Sequence, residues 1–329
     1  MKRERLTIYP EMPFNRWCVY WFDHTNCRRT FTTNAKYEEI ITRVIQPYFK
    51  NIALSEVDTH MIQNFINGLV TRGLKESRVS MVRLVISAVM VYAVNHNLIS
   101  RNPTTLAHSA KRKASQINIL TDDNIRQLLA IQDSSIYISV ILFTLFLGLR
   151  IGETLGLPWN KINMDKGIVE ISQQAVSYYD GIKTVQEIVP YTKDKNKRIL
   201  PLPDIAVDLL KKQKELYIEN SDNLVFTEID GSEILYASFY YRFNKIMESI
   251  GRSDIAPHDL RHTMASTLLY KTKDIFLLKE FLGHESIYTT EFYPTATLEE
   301  RQETASALDA YFASYLEEAF NLKRGRFTC

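Results

Sequence analysis

Four short segments, in order along the C-terminal two-thirds of this 329-residue chain, carry side chains that could do chemistry together. They are Gly148-Leu149-Arg150-Ile151-Gly152-Glu153, Thr192-Lys193, His258-Asp259-Leu260-Arg261, and Leu282-Gly283-His284 with Tyr293 beyond it. Between them they hold two guanidinium groups, an ammonium, two imidazoles and a phenol. That set suits cleavage of a phosphodiester without a metal. An oxygen nucleophile attacks phosphorus, cations hold the charge that builds on the non-bridging oxygens, and an acid protonates the leaving alkoxide.

The surroundings of each segment suggest how its side chain is delivered. Arg150 follows the apolar run from Ile136 to Leu149, so its charge emerges at the end of a buried element and needs an anion. Glu153 is either that anion or the group that holds the arginine for an external one. His258 and Arg261 lie three apart after Pro257, on one face of a helix whose N-terminus favours phosphate. Gly283 suits a helix C-cap that turns His284 outward. Tyr293 follows nine residues later, with Tyr288 a competitor for the nucleophile's place. Lys193 stands at the base of a basic hairpin whose tip offers Lys195 and Lys197 instead.

The elements that must position these groups are mostly helical. Residues 1–33 read as β-like, because Arg16 to Phe22 is aromatic and β-branched, Asp23-His24-Thr25-Asn26 is turn chemistry, and Arg28 to Thr33 resembles a returning strand. Ala35 to Tyr48, Asp58 to Thr71 and Lys75 to Asn95 carry helical patterns, with Ser55 and Thr59 as caps and Gly73 as a break. Ser100-Arg101-Asn102-Pro103 ends that block, and the basic stretch around Lys111-Arg112-Lys113 is the best domain boundary. A helix opens at Thr121, and the apolar helix from Ile136 follows. Strands are expected at Ile168 to Val176, Thr184 to Thr192 and Arg198 to Leu202, with the lysine-rich tip between the last two. Helices are expected at Asp204 to Glu219, Tyr236 to Ile250, His258 to Lys271, Asp274 to Leu282 and Leu298 to about Leu322. The fold class is therefore mainly α with a small antiparallel β-sheet.

Composition narrows the setting. A 45% hydrophobic content is enough for a sizeable core, and the length favours two domains. The apolar runs Met81 to Val94 and Ile136 to Leu149 are too short to span a bilayer, and no signal-peptide core follows Met1-Lys2-Arg3-Glu4-Arg5. Cys18, Cys27 and Cys329 form no disulfide framework, which points to a reducing cytoplasm. Cys18, His24 and Cys27 lack a fourth ligand at a zinc spacing, so no metal site is expected there. A net charge of +2 is too small to argue for nucleic acid, but the basic clusters at Lys111-Arg112-Lys113 and Lys193/Lys195/Lys197 could track a phosphate backbone.

In their order, context and His284-to-Tyr293 spacing, these motifs resemble the tyrosine recombinase family, the integrases of phages and integrative elements. The resemblance spans residues 117–307 as a catalytic domain and 34–112 as a helical, SAM-like core-binding domain. Residues 1–33 would be a remnant of an arm-type DNA-binding segment, and 308–329 a helical tail available for protomer contact. It implies that Tyr293 attacks the scissile phosphate to give a 3′-phosphotyrosyl intermediate, that Arg150 and Arg261 clamp the non-bridging oxygens, and that Lys193 protonates the leaving 5′-oxygen. His258 and His284 would bind the phosphate, Glu153 would orient the cationic framework, and Lys111, Arg112, Lys113, Lys195 and Lys197 would contact DNA. No cofactor, metal or ATP is implied. The implied partners are double-stranded DNA with specific core sites, a homotetramer, and an excisionase or host DNA-bending protein, in the cytoplasm at the nucleoid and away from membranes. A chromosome-dimer resolvase with the same chemistry and a catalytically silent architectural DNA-binding protein are the alternatives. Two departures stand out: the short N-terminal segment, and Pro294-Thr295 after Tyr293 where relatives often have a histidine two residues on.

Overall fold

The computed structural model describes residues 8–108, 118–131, 135–179, 182–192 and 197–272, with 274, 278, 281–282, 306 and 309–312. Contacts divide the chain into two units, Met1–Ser115 with Tyr178–Thr184, and Gln116–Ser177 with Val185–Cys329.

Where strands were expected within residues 14–33, the described residues form helices instead, which corrects the β-like reading over that stretch. Helix α1 (Phe14–Thr25) buries Phe14, Trp17, Cys18, Trp21 and Thr25. Those positions recur at helical spacing and form one face, and their aromatic and β-branched character imitates a strand. Burial pushes the Cys18 thiol well above its ordinary value, and Cys27 is exposed. Helix α2 (Phe31–Ile40) runs through a π-helical turn at Ile41–Ile45 into the short α3 (Gln46–Tyr48).

Helix α4 (Thr59–Thr71) is capped by Asp58, whose carboxylate accepts from the Met61 N–H at 2.7 Å. Neither Ser55 nor Thr59 provides that cap, and the Thr59 hydroxyl donates to the Pro103 carbonyl instead. Gly73, at φ +79°, separates α4 from α5 (Glu76–Asn95), as its position in the sequence suggested. Helix α5 is long and apolar enough to cross a membrane by length and composition. It is nonetheless a core helix, with Val79, Val82, Val85, Ile86, Val89, Met90 and Ala93 packed inside the unit.

The second unit is built around α7 (Ile136–Leu147), which is buried on nearly every side. Helix α6 (Asp122–Ala130) precedes it, capped by Thr121 as expected. The short α8 (Ile151–Leu155) follows it. The three-stranded antiparallel sheet has the order β1 (Ile162–Asn163), β2 (Ile168–Ile171), β5 (Arg198–Pro201), with Val169 opposite Leu200 and Ile171 opposite Arg198. A separate two-stranded sheet joins β3 (Gln174–Tyr179) to β4 (Thr184–Val189).

The strand pairing differs from the expectation of one three-stranded sheet with a basic hairpin between its last two strands. Ser172 and Gln173 interrupt what reads as one strand, and the Gln173 amide donates to the Gly156 carbonyl at 2.8 Å. Strand β4 therefore returns against β3, and β5 crosses to β2.

Helices α9 (Asp204–Glu215), α10 (Tyr236–Ser249) and α11 (Pro257–Thr272) complete the unit among the regular elements described. Phe281, Leu282 and Phe312 also lie in its core. Asp309 accepts from the Ile205 N–H at 3.2 Å, and the Tyr311 hydroxyl donates to Asp122 at 2.8 Å.

Candidate active site

The site begins where α7 stops. Gly148 takes the left-handed conformation, φ +57°, and a Cβ there would lie 1.8 Å from the Met264 Cε on α11. The left-handed turn favours glycine, and any side chain there would also have to displace the end of Met264. The chain then passes Leu149 and enters α8 with Arg150 as its N-cap residue. Glu153, at the third helical position and fully buried, accepts from the Arg150 backbone N–H at 2.9 Å. The same carboxylate accepts from the Arg150 guanidinium at 3.2 Å. Glu153 is thus both partner and holder of Arg150, the two roles its spacing left open.

Helix α8 lies hard against β3. A Cβ on Gly152 would stand 2.5 Å from the Tyr236 hydroxyl and 2.6 Å from the Ala175 carbonyl oxygen, which are themselves hydrogen-bonded at 3.2 Å. Gly152→Ala is expected to destabilise the protein by about 1–3 kcal/mol through this overpacking. Gly68→Ala in α4, where nothing lies within 4 Å of the added carbon, is expected to be neutral or slightly stabilising. Urea unfolding of the two variants checks the contrast.

Arg261 brings α11 to the same place. It is only 2% exposed, and its guanidinium donates to the Gly148 carbonyl at 2.7 Å and the Leu282 carbonyl at 2.6 Å. These bonds fix the plane of the guanidinium and tie it two residues from Arg150 on one side and two residues before His284 on the other. His258, a turn earlier on α11, keeps an exposed edge and meets the His262 ring edge-on, with centroids 4.7 Å apart. Burial of its inner side, then His262, Arg261 and Arg150, hold the His258 pKa below the ordinary 6.5. These neighbours favour the uncharged imidazole, the form able to accept a proton.

The buried carboxylate has a third partner that the sequence reading passed over. Arg198, the first residue of β5, meets Glu153 in a fork, with its two terminal nitrogens donating at 2.9 and 2.7 Å. Burial alone would raise the Glu153 pKa. The Arg198 hydrogen bonds and charge, the Arg150 N–H and the Arg261 charge outweigh it and bring the value down to about 2. A signal for Arg198 was present: it stands two residues from buried Leu200 and shares its face of the strand, at a position where a charge needs a buried partner.

Arg150, Glu153, His258 and Arg261 are brought together, and Lys197 is exposed beside Arg198. Lys193, Lys195, His284, Tyr293, Tyr288 and Lys111-Arg112-Lys113 lie outside the described residues. No cluster of three His, Cys, Asp or Glu side chains suited to a metal occurs among the described residues.

Residues 118–300 match the phage integrase family, and residues 14–70 match its N-terminal SAM-like domain, which begins where α1 begins. Among curated proteins, the chain is 25% identical over 295 residues to the ICEBs1 integrase of Bacillus subtilis, covering 84% of this chain and 76% of that protein. It is 24% identical over 266 residues to the tyrosine recombinase XerC of Thermodesulfovibrio yellowstonii, covering 74% and 80%. Among solved structures, the Tn1549 transposon integrase bound to a circular intermediate DNA superposes with a TM-score of 0.74 at 17% identity, covering 90% of this chain and 99% of that one. A lambda integrase tetramer bound to a Holliday junction gives 0.61 at 17% identity, covering 85% and 80%. The family matches make this a tyrosine recombinase, an enzyme that cuts and rejoins DNA at specific sites. The chain belongs to the phage integrase family.

Proposed function

We propose that this protein is the integrase of a mobile element and exchanges DNA strands through a 3′-phosphotyrosyl intermediate formed on Tyr293. The reading rests above all on one observation: Arg261 hydrogen-bonds the carbonyl of Gly148, two residues from Arg150, so two guanidiniums from distant segments share one site. Planar forks held this way suit the non-bridging oxygens of a phosphate, where charge grows as the transition state forms.

In the step proposed, the Tyr293 phenol oxygen bonds to phosphorus and the bond from phosphorus to the 5′-oxygen breaks. His258 accepts the phenol proton, and Lys193 gives one to the departing 5′-oxygen. His284 holds the phosphate with Arg150 and Arg261. The phosphodiester energy is kept in the new ester, so attack by the 5′-hydroxyl of a second duplex reverses the chemistry and completes the exchange without ATP. Residues 34–112 and the basic stretch Lys111-Arg112-Lys113 grip the core site, with Lys195 and Lys197 adding phosphate contacts. A homotetramer on paired duplexes is the working assembly, with an excisionase or host DNA-bending protein setting direction, at the nucleoid in the cytoplasm.

Incubation with a duplex carrying a nick beside the scissile phosphate is expected to trap a covalent protein–DNA complex, and EDTA is expected to leave its yield unchanged. The guanidiniums carry the role a Lewis acid would otherwise fill. A cleavage step that stops in EDTA and returns with magnesium would count against the mechanism. The similarity to a tyrosine recombinase that is not named an integrase keeps a second reading, a chromosome-dimer resolvase with the same chemistry. Recombination between an element end and a chromosomal site that differ in flanking sequence supports the first, and activity confined to identical sites supports the second.

A further inference from the structure

We propose that Arg198 is a positioning residue for catalysis: it is the counter-ion of Glu153 that leaves the charge of Arg150 to act on the scissile phosphate. The inference rests on the reading of Arg150 as a phosphate clamp and adds a residue to it.

The geometry is unequal in a telling way. Arg198 is nine-tenths buried and takes both carboxylate oxygens of Glu153 with its terminal nitrogens, at 2.9 and 2.7 Å. Arg150 contributes one longer side-chain bond of 3.2 Å to the same group, and its backbone N–H supplies the shorter one. The carboxylate is therefore neutralised chiefly from β5, while Arg150 is steered from the side. Two guanidiniums share one carboxylate, so Arg198 adds one positive charge beside the site over what Arg150 and Glu153 supply between them. Replacing Arg198 by an apolar residue lowers the local charge by one and leaves Glu153 with Arg150 as its remaining described ion-pair partner.

Stability is a poor explanation for this arrangement. The Arg198 Nε is buried with no hydrogen-bond partner, and buried ion pairs often contribute less than apolar packing of the same volume. A charge balance that keeps one guanidinium effective toward an external anion accounts for both the buried fork and its position. It also explains why the carboxylate is fully buried: the pairing takes place where water screens it least.

The test uses the full chain and two versions of the nicked duplex, one with the natural phosphate and one with a methylphosphonate at the scissile position. The methylphosphonate has lost one charged oxygen and needs less neutralisation. Arg198→Met is expected to bind the duplex like wild type but to form the covalent complex about 30-fold or more slowly on the phosphate, while its deficit against wild type shrinks severalfold on the methylphosphonate. Adding Glu153→Gln to Arg198→Met restores the charge balance that the loss of Arg198 disturbed and is expected to recover much of the lost rate. A residue that merely held the fold would show the same deficit on both substrates and no recovery.

Equal deficits on the two substrates, or a double variant no faster than Arg198→Met, would overturn the proposal. Should Arg198→Met not fold, the double variant is compared with Glu153→Gln alone. The proposal then expects the Arg198 change to cost little once the carboxylate is neutral, and a large cost refutes it. Arg150→Ala run alongside separates the two levels. If its deficit does not shrink on the methylphosphonate, the clamp reading of Arg150 fails. If it shrinks and that of Arg198→Met does not, the counter-ion role fails alone.

Discussion

Tyr293→Phe is expected to bind the core site with wild-type affinity and to form no covalent complex with the nicked duplex. The substitution removes one oxygen and keeps the ring, so it takes away the proposed nucleophile and little else. A loss on the order of 10⁴ or more is the scale seen when other covalent enzymes lose their nucleophile. The cations at Arg150, Arg261 and the nearby motifs matter to this expectation because they favour the phenolate as it forms. Tyr288→Phe is the necessary companion, since Tyr288 lies only five residues away in the sequence. Gel separation of the covalent complex decides between them. A complex that persists in Tyr293→Phe and vanishes in Tyr288→Phe would reassign the attacking hydroxyl.

Glu153→Ala should produce the second large effect, on stability and on cleavage together. Removing the carboxylate strands Arg198 in the core and releases the N–H and guanidinium of Arg150 from their holder. Breaking a buried pair from one side costs about 3–5 kcal/mol. The wild-type protein carries the same dependence in its response to acid. The folded-state pKa of about 2 lies below the ordinary 4.5, so the native state binds the Glu153 proton less readily than the unfolded chain does. Its contribution is complete above pH 4.5 and is lost as the pH falls toward about 2. The shift corresponds to roughly 3 kcal/mol at the top of that window. Urea titrations across it should show a steep acid limb in wild type and a shallower one in Glu153→Gln. Parallel limbs would show that Glu153 does not carry the acid sensitivity.

The elements that position this site were legible to different degrees. Helix α7 could be read from its unbroken apolar run, and its end from Gly148, because glycine in the left-handed region is a local requirement. The same is true of α11, with Pro257 at its first position and His258 and Arg261 one turn apart. Helix α1 was misread because Trp17, Val19, Tyr20 and Trp21 have strand-like character residue by residue, and only the spacing of the buried set reveals the helix. The strand order failed for another reason. The stretches Ile168 to Val176, Thr184 to Thr192 and Arg198 to Leu202 do hold strands, but the break at Ser172 and Gln173 was not foreseen, and pairing is settled by which partner covers each edge.

The site divides along the same line. The chemical types and their order along the chain, with the one-turn spacing of Arg150 to Glu153 and of His258 to Arg261, were enough to name a phosphate-handling set and its family. The sequence could not pair Arg198 with Glu153 across 45 residues, or Arg261 with the Gly148 carbonyl across 113. Helix spacing repeats within a turn and is written along the chain. Ion pairs and hydrogen bonds depend on distance through space and on how much water is excluded between the partners, and those arise only when β5, α8 and α11 pack around α7.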